Sequence, residues 1–372
     1  MFENFQVPQE LKPSDPRFGC GPSKIPVEHI EALAKTGFKI LGTSHRQSTI
    51  KNLVKELQDG LKTYFKMPAD YQVVLGNGGA TLLFDMIALG VVKKKTAHFT
   101  CGEFSQKWFL SSKNVPWISS EEFKCEMGTG IDAHMVPGAD TVCFTLNETS
   151  TGVQNTVVPT VPSDVVLCCD ATSGAGQVPC DVSKIDIFFF SPQKVFASDG
   201  GLWCALMSPK AIARCTEIRA DKTRFIPPIM DWSHAIDNSS KNQTYNTPAL
   251  STIFLFNEQV KKMNLLGYSK VVEMAQKKSD LLYGWAEKNS YLSVYVKEKK
   301  YRSICVGCVD VIDKVLVDDL LKKLRTEKAV LDIDGYRKLG RNQFRISMFH
   351  NITIEDMDKL TRLLSKAIES QL

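Results

Sequence analysis

Two short runs in the middle of the chain constrain its fold more than any other feature: Val165-Val166-Leu167-Cys168-Cys169 and Ile185-Asp186-Ile187-Phe188-Phe189-Phe190. Both have strand length, and neither alternates apolar with polar residues as a strand with one wet face would. A strand buried on both faces belongs to a mostly parallel sheet with helices packed above and below it. Other runs fit the same frame: Gln72 to Leu75, Thr96 to Thr100, Thr141 to Leu146 and Leu202 to Met207. Helical stretches separate them. Residues 49–66 place Ile50, Leu53, Val54, Leu57, Leu61, Tyr64 and Phe65 close to a 3.6-residue period, and further helices are expected from the Gly76–Gly79 turn through Leu89 and over Glu103–Ser112. The segment from about 35 to 255 therefore reads as one large α/β domain, whose ligand sites belong at the carboxyl ends of its strands.

After Leu255 the pattern changes. A long helical stretch over about 251–289, broken near Gly267, leads to strands at Leu292–Val296, Ser303–Val311 and Phe344–Met348. Helices are expected around 315–326 and 353–370. The last starts at Thr353 with Asp356 three residues on, an analogue of a capping box. This is the pattern of a smaller α+β domain. The first 25 or so residues, with Pro8, Pro13, Pro16 and Pro22, read as an extended arm. A length of 372 residues accommodates such a division.

Charge and cysteine usage exclude several classes of function. The net charge of +5 is spread along the chain, and Lys93-Lys94-Lys95 and Lys297-Glu298-Lys299-Lys300 read as solvated turns rather than the concentrated basic face of a nucleic-acid binder. No run approaches the ~18 consecutive apolar residues of a membrane span. Met1-Phe2-Glu3-Asn4-Phe5 lacks the charged-then-apolar pattern of a secretion signal. The eleven cysteines lie mostly in apolar runs, where the thiol is a small buried hydrophobe, and their odd number suits a reducing compartment, so a cytoplasmic protein is expected. Cys305-x-x-Cys308 has no second pair. In a strand its two thiols would face opposite sides, so no metal is expected.

Four strand ends carry unusual polar residues. Gly76-Asn77-Gly78-Gly79-Ala80-Thr81 lies between a strand and a helix, where free N–H groups can hold an anion; no Gly-Lys-Ser/Thr follows to make it a P-loop. Asp170 ends a buried strand, where an acid needs a partner, and is followed by small residues from Ala171 to Gly176. Lys194 follows the Ile185–Phe190 run; a desolvated lysine forms a Schiff base with an aldehyde. Glu103-Phe104 offers a flat ring at the same sheet edge. An anion cradle, a carboxylate, an amine and a flat ring together match pyridoxal 5′-phosphate, through its phosphate, ring nitrogen, aldehyde and ring face.

At these residues the sequence resembles the phosphoserine aminotransferases, a class V family of pyridoxal-phosphate enzymes of fold type I. The resemblance covers nearly the whole chain. It is most specific at Phe18-Gly19-Cys20-Gly21-Pro22, Ser44-His45-Arg46, Gly78-Gly79-Ala80-Thr81, Asn147-Glu148-Thr149, Asp170-Ala171-Thr172-Ser173-Gly174, Gln193-Lys194 and Tyr245-Asn246-Thr247-Pro248. It implies a large domain (35–262) with a mostly parallel seven-stranded sheet flanked by helices, a small α+β carboxyl-terminal domain (263–372), and an arm (1–34) packing near the small domain. It implies that Lys194 holds the cofactor covalently and shuttles the substrate proton. Asp170 would pair with the ring nitrogen, Phe104 would stack, and Thr149 would bond the phenolic oxygen. Gly79, Ala80, Thr81 and Gln193 would contact the cofactor, with Asn246 and Thr247 reaching its phosphate from a neighbouring subunit of a homodimer. Phe104 stands where the family often has tryptophan.

For substrates the resemblance implies glutamate and 3-phosphooxypyruvate, giving 2-oxoglutarate and O-phospho-L-serine by a ping-pong route. Arg345 would take the α-carboxylate, and His45 and Arg46 the substrate phosphate across the dimer. The segment Gly335-Tyr336-Arg337-Lys338-Leu339-Gly340-Arg341 is longer than the usual His-Arg version, so Arg337 and Arg341 both stand as candidates for the remaining phosphate contact. An alanine–glyoxylate or serine–pyruvate type of class V enzyme is the alternative; it has no need of the His45-Arg46 pair.

Overall fold

The computed structural model describes residues 2–372. Helices α1 (Val27–Lys35) and α2 (Ser48–Tyr64) lead to β1 (Gln72–Asn77), α3 (Ala80–Gly90), β2 (Lys95–Thr100), α4 (Glu103–Lys113), β3 (Ser119–Lys124) and β4 (Thr141–Thr145). A small ribbon, β5 (Asn147–Glu148) and β6 (Val153–Gln154), precedes β7 (Val166–Asp170), β8 (Ile187–Phe190) and β9 (Leu202–Met207). Then come α5 (Pro209–Ala220), α6 (Trp232–Ser239), α7 (Leu250–Leu266), α8 (Tyr268–Lys288), β10 (Leu292–Val294), β11 (Val306–Val311), α9 (Val317–Thr326), β12 (Gln343–Ser347) and α10 (Ile354–Glu369).

The seven-stranded sheet has the order β1-β9-β8-β7-β4-β2-β3. Strand β9 runs antiparallel to both neighbours, β1 and β8, and every other pairing is parallel. The chain is thus an α/β protein with a mostly parallel sheet, as its apolar runs predict. The lack of alternation has a direct cause. Leu167, Cys169, Phe188 and Phe190 pack on one face against Leu57 and Leu61 of α2 and Ile253 and Phe256 of α7. Val166, Cys168, Ile187 and Phe189 pack on the other against Leu83, Ile87, Trp108, Ala211 and Trp232. Each large side chain so buried stabilises the fold by roughly 1.5–3 kcal/mol relative to exposure.

A second sheet, β10-β11-β12, is antiparallel. Its inner face packs on Leu282 of α8, Leu320 and Leu324 of α9, and Leu360 and Leu364 of α10; Phe2, Phe5, Leu11 and Phe18 of the amino-terminal segment join the same cluster. The segment is also tied by a bridge between Arg17 and Leu331. Among the described residues no helix is long and apolar enough to cross a membrane.

Several local expectations change. Strand β3 (Ser119–Lys124) is at the sheet edge and half-exposed, so its polar sequence hid it. Gly76 is a strand residue, not part of the turn: a Cβ there would meet the Trp203 ring at 2.2 Å. The turn begins at Gly78, whose φ of +118° suits glycine. Asp170 is the last residue of β7, ending a buried strand as expected. Thr353 does cap α10, accepting the Asp356 N–H at 3.0 Å. The Asp356 carboxylate instead accepts the N–H (2.6 Å) and hydroxyl (2.8 Å) of Ser14, so it anchors the amino-terminal segment. Cys305 precedes β11, so strand alternation does not separate it from Cys308; both thiols pack in one core cluster.

Candidate active site

Because β1 runs antiparallel to β9, and β9 to β8, β1 points the same way as the parallel strands. The carboxyl ends of β1, β2, β4, β7 and β8 therefore share one edge, and the segments following them meet there. Between them is a cavity of about 170 Å³ lined by Gly79, Ala80, Thr81, Phe104, Asn147, Thr149, Asp170, Thr172, Ser191, Gln193 and Lys194. A larger groove of about 580 Å³ follows the outer side of α2 past Thr49, Lys55 and Asp59, but one helix surface alone brings no convergent chemistry.

The Lys194 amine donates to the Cys20 carbonyl at 2.9 Å. Burial pushes its pKa down from 10.5 to about 8; Arg345 lowers it further, while Cys20, Asp170 and Glu148 oppose the shift. The backbone beside it is fixed by Ser23, whose N–H donates to the Gln193 carbonyl (2.9 Å) and whose hydroxyl donates to the Lys194 carbonyl (2.7 Å). A Cβ on Gly21, whose φ of +145° already favours glycine, would lie 1.8 Å from Lys194 Nζ and displace the amine from this position. Asp170 is buried and accepts the N–H (2.9 Å) and hydroxyl (2.5 Å) of Thr172. Burial raises its carboxyl to about 6; the Thr172 bonds and Lys194 hold it back, and Glu148 adds to the rise.

The Thr149 hydroxyl donates to Ser173 Oγ at 2.7 Å, and its carbonyl accepts Arg345 Nη1 at 3.3 Å. Arg345 Nε is buried without a partner, and the guanidinium is 5.4 Å from the Tyr336 ring centre. That ring meets Phe104 edge-on at 5.9 Å. Arg345, Tyr336 and Phe104 thus form one continuous wall beside the cavity, held from outside by an ion pair between Lys338 and Glu103.

Eight predicted residues of one chain come together here: Gly79, Ala80, Thr81, Phe104, Thr149, Asp170, Gln193 and Lys194. Arg345 reaches the same place through Thr149. The Ala80 N–H is engaged by the Ser191 hydroxyl at 2.7 Å, so Ser191 stands between that amide and any anion. Arg337 is exposed on a short helical turn, Arg337–Leu339. Arg341 is engaged by Asp310 through two bonds of 3.0 and 2.8 Å and does not line the cavity.

Four residues are elsewhere. His45 is buried with Nε2 unpartnered, and burial holds its pKa below the usual histidine value, with Arg46 adding to the effect. Arg46 is exposed and donates to Gln243 Oε1 at 3.0 Å. Asn246 and Thr247 are exposed, and both their carbonyls accept the Asn77 side chain (3.1 and 2.9 Å). The loop carrying His45 and Arg46 therefore meets the segment carrying Asn246 and Thr247 on an outer face, beside the exposed Phe38 loop, and none of the four lines the cavity. Ser23, Ser191 and Tyr336 carry no local sequence signal for the contacts they make here. Gly21, Glu148 and Ser173 lie in quoted motifs, but only their spatial partners reveal what they do.

The donor set fits pyridoxal phosphate. Gln193 Oε1 and Arg345 Nε are buried polar atoms lacking partners, as groups that meet a ligand would be. The cavity offers a helix start for a phosphate, a carboxylate for a ring nitrogen and a neutralisable amine for an aldehyde.

The family described as Aminotransferase class-V matches residues 18–360. A phosphoserine aminotransferase of Nocardioides sp. is 42% identical over 99% of this chain and 100% of its own length. One from Corynebacterium glutamicum is 43% identical over 95% of each chain. The crystal structure of a phosphoserine aminotransferase from Cytophaga hutchinsonii superimposes with a TM-score of 0.86 at 25% identity, covering 96% of this chain and 99% of that one. The pyridoxal-phosphate-bound enzyme from Trichomonas vaginalis shares the fold, with a TM-score of 0.82 at 20% identity over 94% and 99%. The chain belongs to the class V aminotransferases, within the phosphoserine aminotransferase family.

Proposed function

We propose that the chain is a pyridoxal-phosphate-dependent phosphoserine aminotransferase, which moves an amino group between glutamate and 3-phosphooxypyruvate to give 2-oxoglutarate and O-phospho-L-serine. The observation that carries this reading is the convergence of Lys194, Asp170, Phe104 and the start of α3 on one sheet edge, with Arg345 alongside.

When bound, the cofactor withdraws electrons from the substrate Cα and stores the amino group between donor and acceptor. Lys194 Nζ would hold the cofactor until the substrate arrives, and would then take the Cα proton and deliver it to the former aldehyde carbon, on the far side of the amino nitrogen. Its lowered pKa suits it to both tasks near neutral pH. Asp170, ionised above about 6, keeps a ring-nitrogen proton in place. Phe104 covers the ring face. Arg345 takes the α-carboxylate common to both amino acids through its fork, which fixes Cα against Lys194. Arg337, exposed between Tyr336 and Lys338, which contact Phe104 and Glu103, suits the phosphate of the substrate better than Arg341, whose donors Asp310 occupies.

The same proposal includes a homodimer with composite sites. His45, Arg46, Asn246 and Thr247 do not line the cavity of their own chain, as expected of residues that serve a neighbour's site. It also includes a division into arm (1–34), large domain (35–262) and small domain (263–372), and a cytoplasmic setting in which the eleven cysteines stay reduced.

The test is turnover with pyridoxal phosphate. Protein given glutamate and 3-phosphooxypyruvate should form phosphoserine and 2-oxoglutarate in equal amounts, and Lys194→Ala should lose both this activity and the visible absorption of the bound cofactor. Turnover that survives Lys194→Ala would sink the proposal.

A further inference from the structure

Glu148 is fully buried, yet the chemistry above gives it no task. Its two oxygens collect N–H and O–H groups from three residues. Oε2 accepts the Ser105 N–H at 2.9 Å and lies 2.9 Å from the Ser105 hydroxyl. Oε1 accepts the N–H of Phe104 (3.3 Å) and both the N–H (3.1 Å) and hydroxyl (2.7 Å) of Ser150. Phe104 and Ser105 are the second and third residues of α4, whose first amides have no partner within the helix. A Ser, Asp or Asn at the cap position normally accepts those bonds. Here the cap residue is Gly102, which has no side chain to do so. A Cβ on Gly102 would meet Glu148 Cγ at 2.3 Å, so the glycine makes room for a cap supplied by another strand. A carboxylate is also the group that a helix start favours electrostatically.

The strand supplying this cap is the two-residue β5, and the next residue is Thr149, which lines the cavity. One short segment therefore carries a cavity hydroxyl and, one residue earlier, the clamp on the backbone of the cavity's aromatic ring. We propose that Glu148 is the positioning residue for Phe104: by capping α4 from β5, it sets the height and tilt of that ring against the flat face of the bound cofactor. This rests on the reading that Phe104 stacks on pyridoxal phosphate.

Glutamine at 148 keeps the size but turns an NH₂ group toward at least one backbone N–H, whichever way the amide is flipped. The experiment titrates apo protein with pyridoxal phosphate and records the dissociation constant and the induced circular dichroism of the bound cofactor for wild type, Phe104→Ala, Glu148→Gln and the double variant. Glu148→Gln is expected to weaken binding about tenfold and to diminish the induced signal. In the Phe104→Ala background it should cost less than about twofold, because the ring it positions is gone. Glu148→Asp keeps the charge one methylene short and gives a second, milder variant, with about a threefold loss that also vanishes without the ring. A glutamine variant that binds and reports as wild type overturns the inference, and so does a loss of equal size with and without the Phe104 ring. If Phe104→Ala itself binds as wild type, the stacking reading falls first and the inference with it.

Discussion

Burial sets the reactivity of Lys194. With water excluded the ammonium loses solvation, and the amine is neutral above about 8 rather than above 10.5. Only the neutral amine attacks an aldehyde, so the rate at which apo protein takes up pyridoxal phosphate should rise with pH through a midpoint near 8. A midpoint near 10.5 would mean that the amine is solvated. Asp170 sets the other limit: below about 6 its carboxylate is protonated and no longer favours a charged ring nitrogen, so retention of the cofactor should weaken there. Lys194, Asp170, Phe104 and Gly79 were legible in sequence because each follows or ends a recognisable strand. Ser191 was not, because it meets the Ala80 amide from 111 positions away. Glu148 was visible as part of a motif, but its partners in α4 are more than 40 residues earlier, and nothing local announces them.

At the scale of the element, strands buried on both faces were easy to find and the edge strand β3 was not, since half-exposed Ser119–Lys124 needs no apolar pattern. Helix α8 shows the reverse problem, a polar residue hidden in the core. Lys278 is buried and donates to the carbonyls of Phe349 (2.5 Å) and Ile352 (2.9 Å), which fixes the turn between β12 and α10. Burial lowers its pKa from 10.5 to about 7. Between those values the unfolded chain holds a proton that the folded chain does not, so this group makes stability rise with pH. Below about 7 both states are protonated and the penalty is constant. The urea stability of the wild type, measured relative to Lys278→Met, should therefore increase from pH 7 to pH 9. A difference that stays flat would show that the amine is charged and compensated in the folded state.

Across the whole molecule the cavity is built from one chain, while the residues expected to bind the substrate phosphate stand on its outer face. The sequence placed His45 and Arg46 by family pattern, but only the fold shows them beside the Gln243–Thr247 segment, next to a Phe38 that is 99% exposed. If that face closes on a second copy, the protein should run at about twice its 41.5 kDa chain mass. Arg46→Ala should then raise the KM for phosphoserine by a factor corresponding to about 1.5–3 kcal/mol, the worth of a charge-assisted bond, and leave glutamate nearly unchanged. Equal effects on both amino acids would place Arg46 outside the phosphate site. The choice between this enzyme and a class V relative acting on plain amino acids rests on that phosphate. The most direct measurement compares phosphoserine, serine and alanine as amino donors to 2-oxoglutarate in one assay with the loaded protein. Phosphoserine should be used far faster than either of the others, and serine or alanine used equally well would contradict the account.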